Sequence, residues 1–258
     1  MSAHIDRVPA AEDAAVKWVT MGVRENKPVE SKTEDATPAR RRTRIKPEER
    51  YREFVRKAVA LFAEVGFGAG TRELAQRLGV TQPLLYRYFP SKDDLIAAVY
   101  REIYENRWKP EWRVMLEDDA VPIRDRMIAF YEDYTATIFM PEWLRIYLFA
   151  GLRGVDINKR YMATLEREIL IPIARATRRS FDVPDHVPLH AEETELFWHL
   201  HSGIFYYGIR EIVYMMEMPV DRGTMIRNSV DIFLKGAEQI LPRMSYENTC
   251  SSGASTEG

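Results

Sequence analysis

The chain has 258 residues, 46% of them hydrophobic, and a single cysteine, Cys250. This supports a packed core of one large domain or two small ones, and it excludes an intramolecular disulfide and a zinc site built on cysteine ligands. The net charge of −2 hides an asymmetry: from Arg40 to Lys92 thirteen Lys or Arg stand against five Glu, a block of +8 on an otherwise acidic chain. Such a block is either the footprint of a part that meets a polyanion or a solvated basic face.

An early apolar stretch, Ala14 to Val23, is interrupted by Lys17 and preceded by Asp6, Glu12 and Asp13, the wrong pattern for a secretory signal. No apolar run reaches the ~18 residues of a membrane span. The expectation is a soluble, cytoplasmic protein without a membrane partner. Residues 1 to 39 have no sustained period, and Asn26 to Ala39 is rich in Pro, Glu, Lys, Ser and Thr, so a disordered leader is expected there. The run Arg40, Arg41, Arg42, Arg44 follows. It is either a basic arm reaching phosphates or the minor groove, or a solvated linker.

From Pro47 the pattern turns helical. Phe54, Ala58, Leu61, Phe62 and Val65 recur at spacings of three and four, Pro47 suits a first helical position and Gly66 an end. A short helix, Thr71 to Leu78, follows, with Leu74, Ala75 and Leu78 on one face and Thr71 placed to cap it; Gly79 stops it. A second runs from Gln82 to Phe89, capped by Thr81 and anchored by Leu85 and Phe89. Helices this short must pack on the preceding one, which makes a three-helix unit. Ser91 opens a fourth helix, with Asp93 and Asp94 at its positive end. Five more helical stretches follow, Pro122 to Phe139, Pro141 to Leu152, Asn158 to Phe181, His190 to Met218 and Asp221 to Leu241, with no strand-period segment between them.

A helix, a Gly-containing turn and a helix are weak evidence of DNA binding by themselves. The filling residues say more: Gln82, Pro83, Leu84, Tyr86, Arg87 and Tyr88 face outward, and so aromatic a surface is excessive for a merely solvated one. The run Thr71-Arg-Glu-Leu-Ala-Gln-Arg-Leu-Gly-Val-Thr-Gln-Pro-Leu-Leu-Tyr-Arg-Tyr-Phe-Pro-Ser-Lys-Asp-Asp-Leu95 resembles the DNA-binding signature of the TetR family of regulators, most specifically in Leu-Tyr-x-x-Phe-x-x-Lys at Leu85 to Lys92. The resemblance implies a repressor that leaves a palindromic operator when a small-molecule effector binds; a ligand-independent regulator or an activator is the alternative. It implies that Gln82, Pro83 and Leu84 begin the recognition helix and face base edges, that Tyr86, Tyr88 and Lys92 approach phosphates, and that Thr71 caps a helix pointing at a phosphate. Gln pairs with adenine, Leu84 suits a thymine methyl, and phenol or ammonium groups suit phosphate oxygens. Thr71 and Thr81 otherwise only cap, and Tyr86 otherwise only packs; Leu84, Arg87 and Tyr88 stand evenly between DNA contact and packing.

Apolar residues surround nearly the whole of His190 to Met218, so that helix is buried on more than one side. Either it lies at the centre of a monomer or it pairs with a second subunit. The resemblance implies the latter, a homodimer built on the last two long helices. It also implies an effector cavity whose filling shifts the fourth helix and moves the reading heads apart. Candidate lining residues are Phe130, Tyr134, Trp143, Tyr147, Tyr161, Phe197 and His201, a set fitting an apolar or aromatic effector or simply a core. Pro172 either kinks its helix or divides it. An enzyme is disfavoured: His199 and His201 lie about 200° apart around a helix, and the glycines at 66, 68 and 70 follow a helix rather than a strand. No catalytic residue, metal site or cofactor is expected.

The whole reads as an all-α protein. A disordered leader with basic arm occupies 1–43, a three-helix helix-turn-helix domain 44–92, a larger helical effector-binding and dimerisation domain 93–243, and a disordered tail 244–258.

Overall fold

The computed structural model describes residues 46–184 and 187–253, with side chains to 244. The leader and the basic arm Arg40, Arg41, Arg42 and Arg44 lie outside the described residues. Those that are described form helices and turns with no strand, and none of their helices is long and apolar enough to cross a membrane.

Helix α1, Pro47–Val65, begins at the fixed φ of Pro47 with Glu48 and Glu49 at its positive end, and it buries Phe54, Val55, Ala58, Val59, Leu61, Phe62 and Ala63. Val65, expected on that face, is 38% exposed because the helix closes there. Gly66 takes φ +71, and its N–H bonds Phe62 O. A Cβ at Gly66 would also stand 3.0 Å from Cγ of Phe149, so glycine is required there on two counts.

Helix α2, Thr71–Leu78, is capped by Gly70 rather than Thr71, which is its first helical residue. Gly79, at φ +72, ends α2, and the following N–H, of Val80, returns to Ala75 O at 2.9 Å. Helix α3, Gln82–Tyr88, has Thr81 in the cap position, but the Thr81 side chain makes no capping bond. Helix α4, Lys92–Ile103, carries the full capping box: Asp94 N–H bonds Ser91 Oγ at 3.1 Å, and Ser91 N–H bonds Asp94 Oδ2 at 2.9 Å.

Beyond α4 the chain forms α5 (Glu111–Glu117), α6 (Ile123–Ile138), α7 (Pro141–Leu152), α8 (Ile157–Leu165), α9 (Ile171–Ser180), α10 (Ala191–Gly208) and α11 (Arg222–Gly253). Helices α8 and α9 are one rod widened by a π turn at Glu166–Leu170. Pro172 sits just after it, has no N–H to donate, and crowds the carbonyl one turn back, so the helix widens there and continues. A second π turn, Ile209–Val213, ends α10. The last helix runs through Pro242 to Gly253, past the boundary expected at 243, because adding residues to an existing helix costs far less than starting one.

Helix α1 packs on α2 and α4 on one side and on α7 on the other; α11 packs on α6 and α10. One continuous hydrophobic core therefore runs from Phe54 to Val230. The apolar surround of α10 is largely used inside the subunit, where α9 and α11 pack on it and Phe197 meets Phe233 with ring centroids 5.0 Å apart.

An ion pair fixes the entry to α10. Arg178 and Glu193 are 1% and 2% exposed, with Arg178 Nε donating to Glu193 Oε1 at 2.7 Å and Nη1 donating to Val187 O at 2.7 Å and Pro184 O at 3.0 Å. A buried guanidinium is tolerable only with its donors satisfied. Glu193→Ala strands that charge, and urea unfolding is expected to register a loss of about 3–5 kcal/mol.

Candidate nucleic-acid interface and ligand cavity

Two places in this fold gather polar or aromatic groups beyond what packing needs. The first is the surface made by α2 and α3. Leu85 is the one buried side chain of α3 and, with Phe89 behind it, turns the rest of the helix outward. Thr81, Pro83, Tyr86 and Arg87 are exposed, and Gln82 and Leu84 are half-buried. The Gln82 amide and the Tyr86 hydroxyl both donate to Thr71 Oγ1 at 3.1 Å, so Thr71 ties the start of α2 to the outward face of α3. Lys92 Nζ donates to Phe67 O at 2.6 Å, which holds the turn between α1 and α2 and keeps the ammonium beside the start of α2. Tyr88 points back, its ring edge-on to Phe54 at 5.1 Å, and so belongs to the head's core.

Arg72 also belongs to this surface. It was not singled out in the sequence because it lies on the polar face of a helix already counted as scaffold. It and Arg87 are exposed and have no ion pair among the described residues, whereas Arg77 pairs with Glu64 and Glu73. The surface thus offers amide, phenol and guanidinium groups around one protruding helix, chemistry suited to base edges and phosphates.

The second place is a cavity of about 430 Å³ among α6, α7, α8 and α10. It brings together Tyr134, Trp143, Tyr147, Tyr161 and His201 from the expected set, and adds Leu148, Met162, Trp198, Ser202, Phe205, Tyr206, Ile209 and Tyr214. Phe130 and Phe197 do not line it. Phe130 lies against Trp112 and Tyr134, and Phe197 against Phe233, where adjacent helices already fill the space. A larger groove, about 880 Å³, lies open between α1 and α4, but charged residues of both signs, among them Glu49, Arg52, Arg101 and Glu102, wall it.

The cavity's polar groups are few and buried. The hydroxyls of Tyr134 and Tyr161 are 2.6 Å apart, and burial pushes both phenols well above their ordinary range, so both stay protonated. His201 is 5% exposed, its Nδ1 has no hydrogen-bond partner among the described residues, and burial pushes its pKa down from 6.5 to about 4. Among the described residues no three His, Cys, Asp or Glu are placed to hold a metal ion.

Residues 54–99, from α1 into α4, match the model of bacterial regulatory proteins of the tetR family. Over that segment the chain is similar to the regulators of the tetR family. Tetracycline repressor protein class A from transposon 1721 of Escherichia coli is 38% identical over 84 residues, which are 30% of this chain and 39% of that protein. The chain spans about two fifths of the length of the curated relatives it matches, 39% and 38%. Two solved structures share the TetR-like fold over a longer stretch. One, from Pseudomonas aeruginosa PAO1, has a TM-score of 0.61 at 17% identity, covering 78% of this chain and 96% of that one. The other, a TetR-like transcriptional regulator from Rhodococcus sp. RHA1, has a TM-score of 0.58 at 17% identity, covering 75% and 100%.

His201 makes the cavity's burial measurable. Between pH 6.5 and about 4 the unfolded chain takes up a proton that the folded imidazole refuses, so its contribution is full above pH 6.5 and is lost as the pH falls toward 4. The loss amounts to roughly 3 kcal/mol. Carboxylates held below their usual range by arginines, such as Asp119 and Asp231, give up their share at lower pH. Urea midpoints followed from about pH 7 to about pH 4.5 should fall more for the native chain than for His201→Phe; parallel curves would contradict the assignment.

Proposed function

We propose that this protein is a sequence-specific DNA-binding transcriptional regulator of the repressor type, acting as a homodimer and released from a palindromic operator by a small molecule held in the cavity. The observation that carries this reading is the protruding α3, joined to α2 through Gly79 and lying inside the segment that matches the tetR family model. Gln82, Pro83 and Leu84 begin α3 and would meet base edges in a major groove. Thr71, Thr81, Tyr86, Arg87, Lys92 and Arg72 stand around them and would take the flanking phosphates. Tyr88, turned into the core, would hold α3 in place.

Helix α7 supports the coupling of ligand to DNA. Its Trp143, Tyr147 and Leu148 side chains line the cavity. From the same helix Arg145 Nε donates to Ala63 O at 2.5 Å, Arg145 Nη2 donates to Glu64 O at 3.4 Å, and the Phe149 ring closes on Gly66. A ligand that displaces α7 would therefore move the end of α1, and the reading head with it. Packed helices shift between discrete arrangements and do not deform smoothly, so such a displacement would be transmitted.

Exposed apolar residues on the last two helices support the dimer. Ile232 is 75% exposed, Tyr206 52% and Ile240 42%. Gly203 on α10 and Gly236 on α11 have no atom within 4 Å of where a Cβ would stand, so a second copy of each helix could approach closely. Twofold pairing presents two α3 helices to successive major grooves, hence an inverted repeat.

Lys92→Ala should weaken binding to every DNA sequence and reduce the salt dependence by about one phosphate contact, whereas Gln82→Ala should cost about 1–3 kcal/mol at one base pair only. Fluorescence anisotropy on matched and mismatched duplexes at several salt concentrations separates the two, and an unchanged salt slope would leave Lys92 with its turn-holding role alone. Ile232→Glu should give a monomer by sedimentation and weaken operator binding about a hundredfold, because the second reading head no longer arrives tethered to the first.

A further inference from the structure

The cavity's walls are aromatic. Trp143 and Tyr147 lie nearly parallel, with ring centroids 5.3 Å apart and planes 15° apart, and Phe205 meets Tyr147 edge-on at 5.3 Å. None of its lining residues among those described is Asp, Glu, Lys or Arg. An ionised ligand would shed its hydration there and find no opposite charge. His201 supplies none, since burial keeps the imidazole neutral above about pH 4.

The polar groups are not equally committed. The Tyr134 and Tyr161 hydroxyls bond each other at 2.6 Å. His201, which also lines the cavity, has no hydrogen-bond partner at its buried Nδ1 among the described residues, and its imidazole is the uncommitted polar group of the wall. A neutral imidazole carries one donor and one acceptor nitrogen, and a hydroxyl group complements either. Tyr214, 58% exposed, stands at the cavity's open side, where such a molecule can enter.

We propose that the cavity takes an uncharged aromatic ligand bearing a hydroxyl group, which bonds the His201 imidazole while Trp143, Tyr147 and Phe205 hold its ring. This rests on the reading of the cavity as the effector site. It excludes carboxylates and quaternary ammonium compounds as the ligand class, and it makes His201 the group that separates a phenol-like ligand from the bare hydrocarbon.

The purified full chain is titrated at neutral pH with 1-naphthol, naphthalene and 1-naphthoate, followed by calorimetry and by tryptophan quenching. The expected order is 1-naphthol about tenfold tighter than naphthalene, as one added hydrogen bond to a buried group gives, with 1-naphthoate weakest. His201→Phe keeps an aromatic ring in the wall and should remove the difference, so that this variant binds 1-naphthol and naphthalene equally. Equal binding of 1-naphthol and naphthalene by the native chain, binding of 1-naphthoate as tight as that of 1-naphthol, or no binding of any of the three overturns the proposal. Operator binding is measured alongside with the same probes. If the binding order holds and DNA stays bound, the effector reading fails and the ligand class stands; if 1-naphthoate releases the DNA as readily as 1-naphthol, the class fails and the effector reading stands.

Discussion

Helices of eight and seven residues do not hold their shape in water, so α2 and α3 exist only while they lie on α1. The buried row of α1, with Ala58 and Phe62 fully enclosed, is the surface that makes a protruding α3 possible. The same helix is gripped on its far side by α7, through the Arg145 bonds to the carbonyls of Ala63 and Glu64 and through the Phe149 ring at Gly66. Whatever α3 reads, its direction is set by where α7 holds α1.

That dual duty accounts for the unusual chemistry of α7. Its outward turn spends a guanidinium on backbone carbonyls left free at a helix end, while its inward turn presents Trp143 and Tyr147 to an aromatic cavity. A cavity with a partnerless, neutral His201 is less stable than a filled apolar core of the same size. A ligand that supplied the missing contacts would recover that stability, and the helix it would touch, α7, is the helix that holds α1. The buried Arg178–Glu193 pair works in the opposite sense, fixing the segment before α10 so that the cavity's other wall stays put.

Much of the head was legible in the sequence because its signals are local. Pro47, Gly66, Gly79 and the Ser91 capping box each mark a boundary by their own backbone chemistry, and the run from Thr71 to Leu95 fills the unit with a recognisable set of residues. Where two residues compete for one role, local reading fails: Thr71 looked like a cap, yet Gly70 caps and Thr71 receives Gln82 and Tyr86. Helix α5 was missed because its seven residues between Pro110 and the 118–122 turn are too few to show a period. The two π turns leave no periodic mark.

The cavity was half legible for a different reason. Periodicity tells which residues of a helix are apolar, not which neighbour each one meets. Tyr134 and Phe130 lie one turn apart on α6 and both meet Trp112 of α5, yet only Tyr134 reaches the cavity. Likewise α10 turns His201 and Phe205 to the cavity and Phe197 to α11. The most direct test of the whole account is selection of bound sequences from a random DNA pool by the purified full chain. The account predicts enrichment of an inverted repeat whose half-sites lie about one helical turn apart; recovery of no enriched repeat would contradict it.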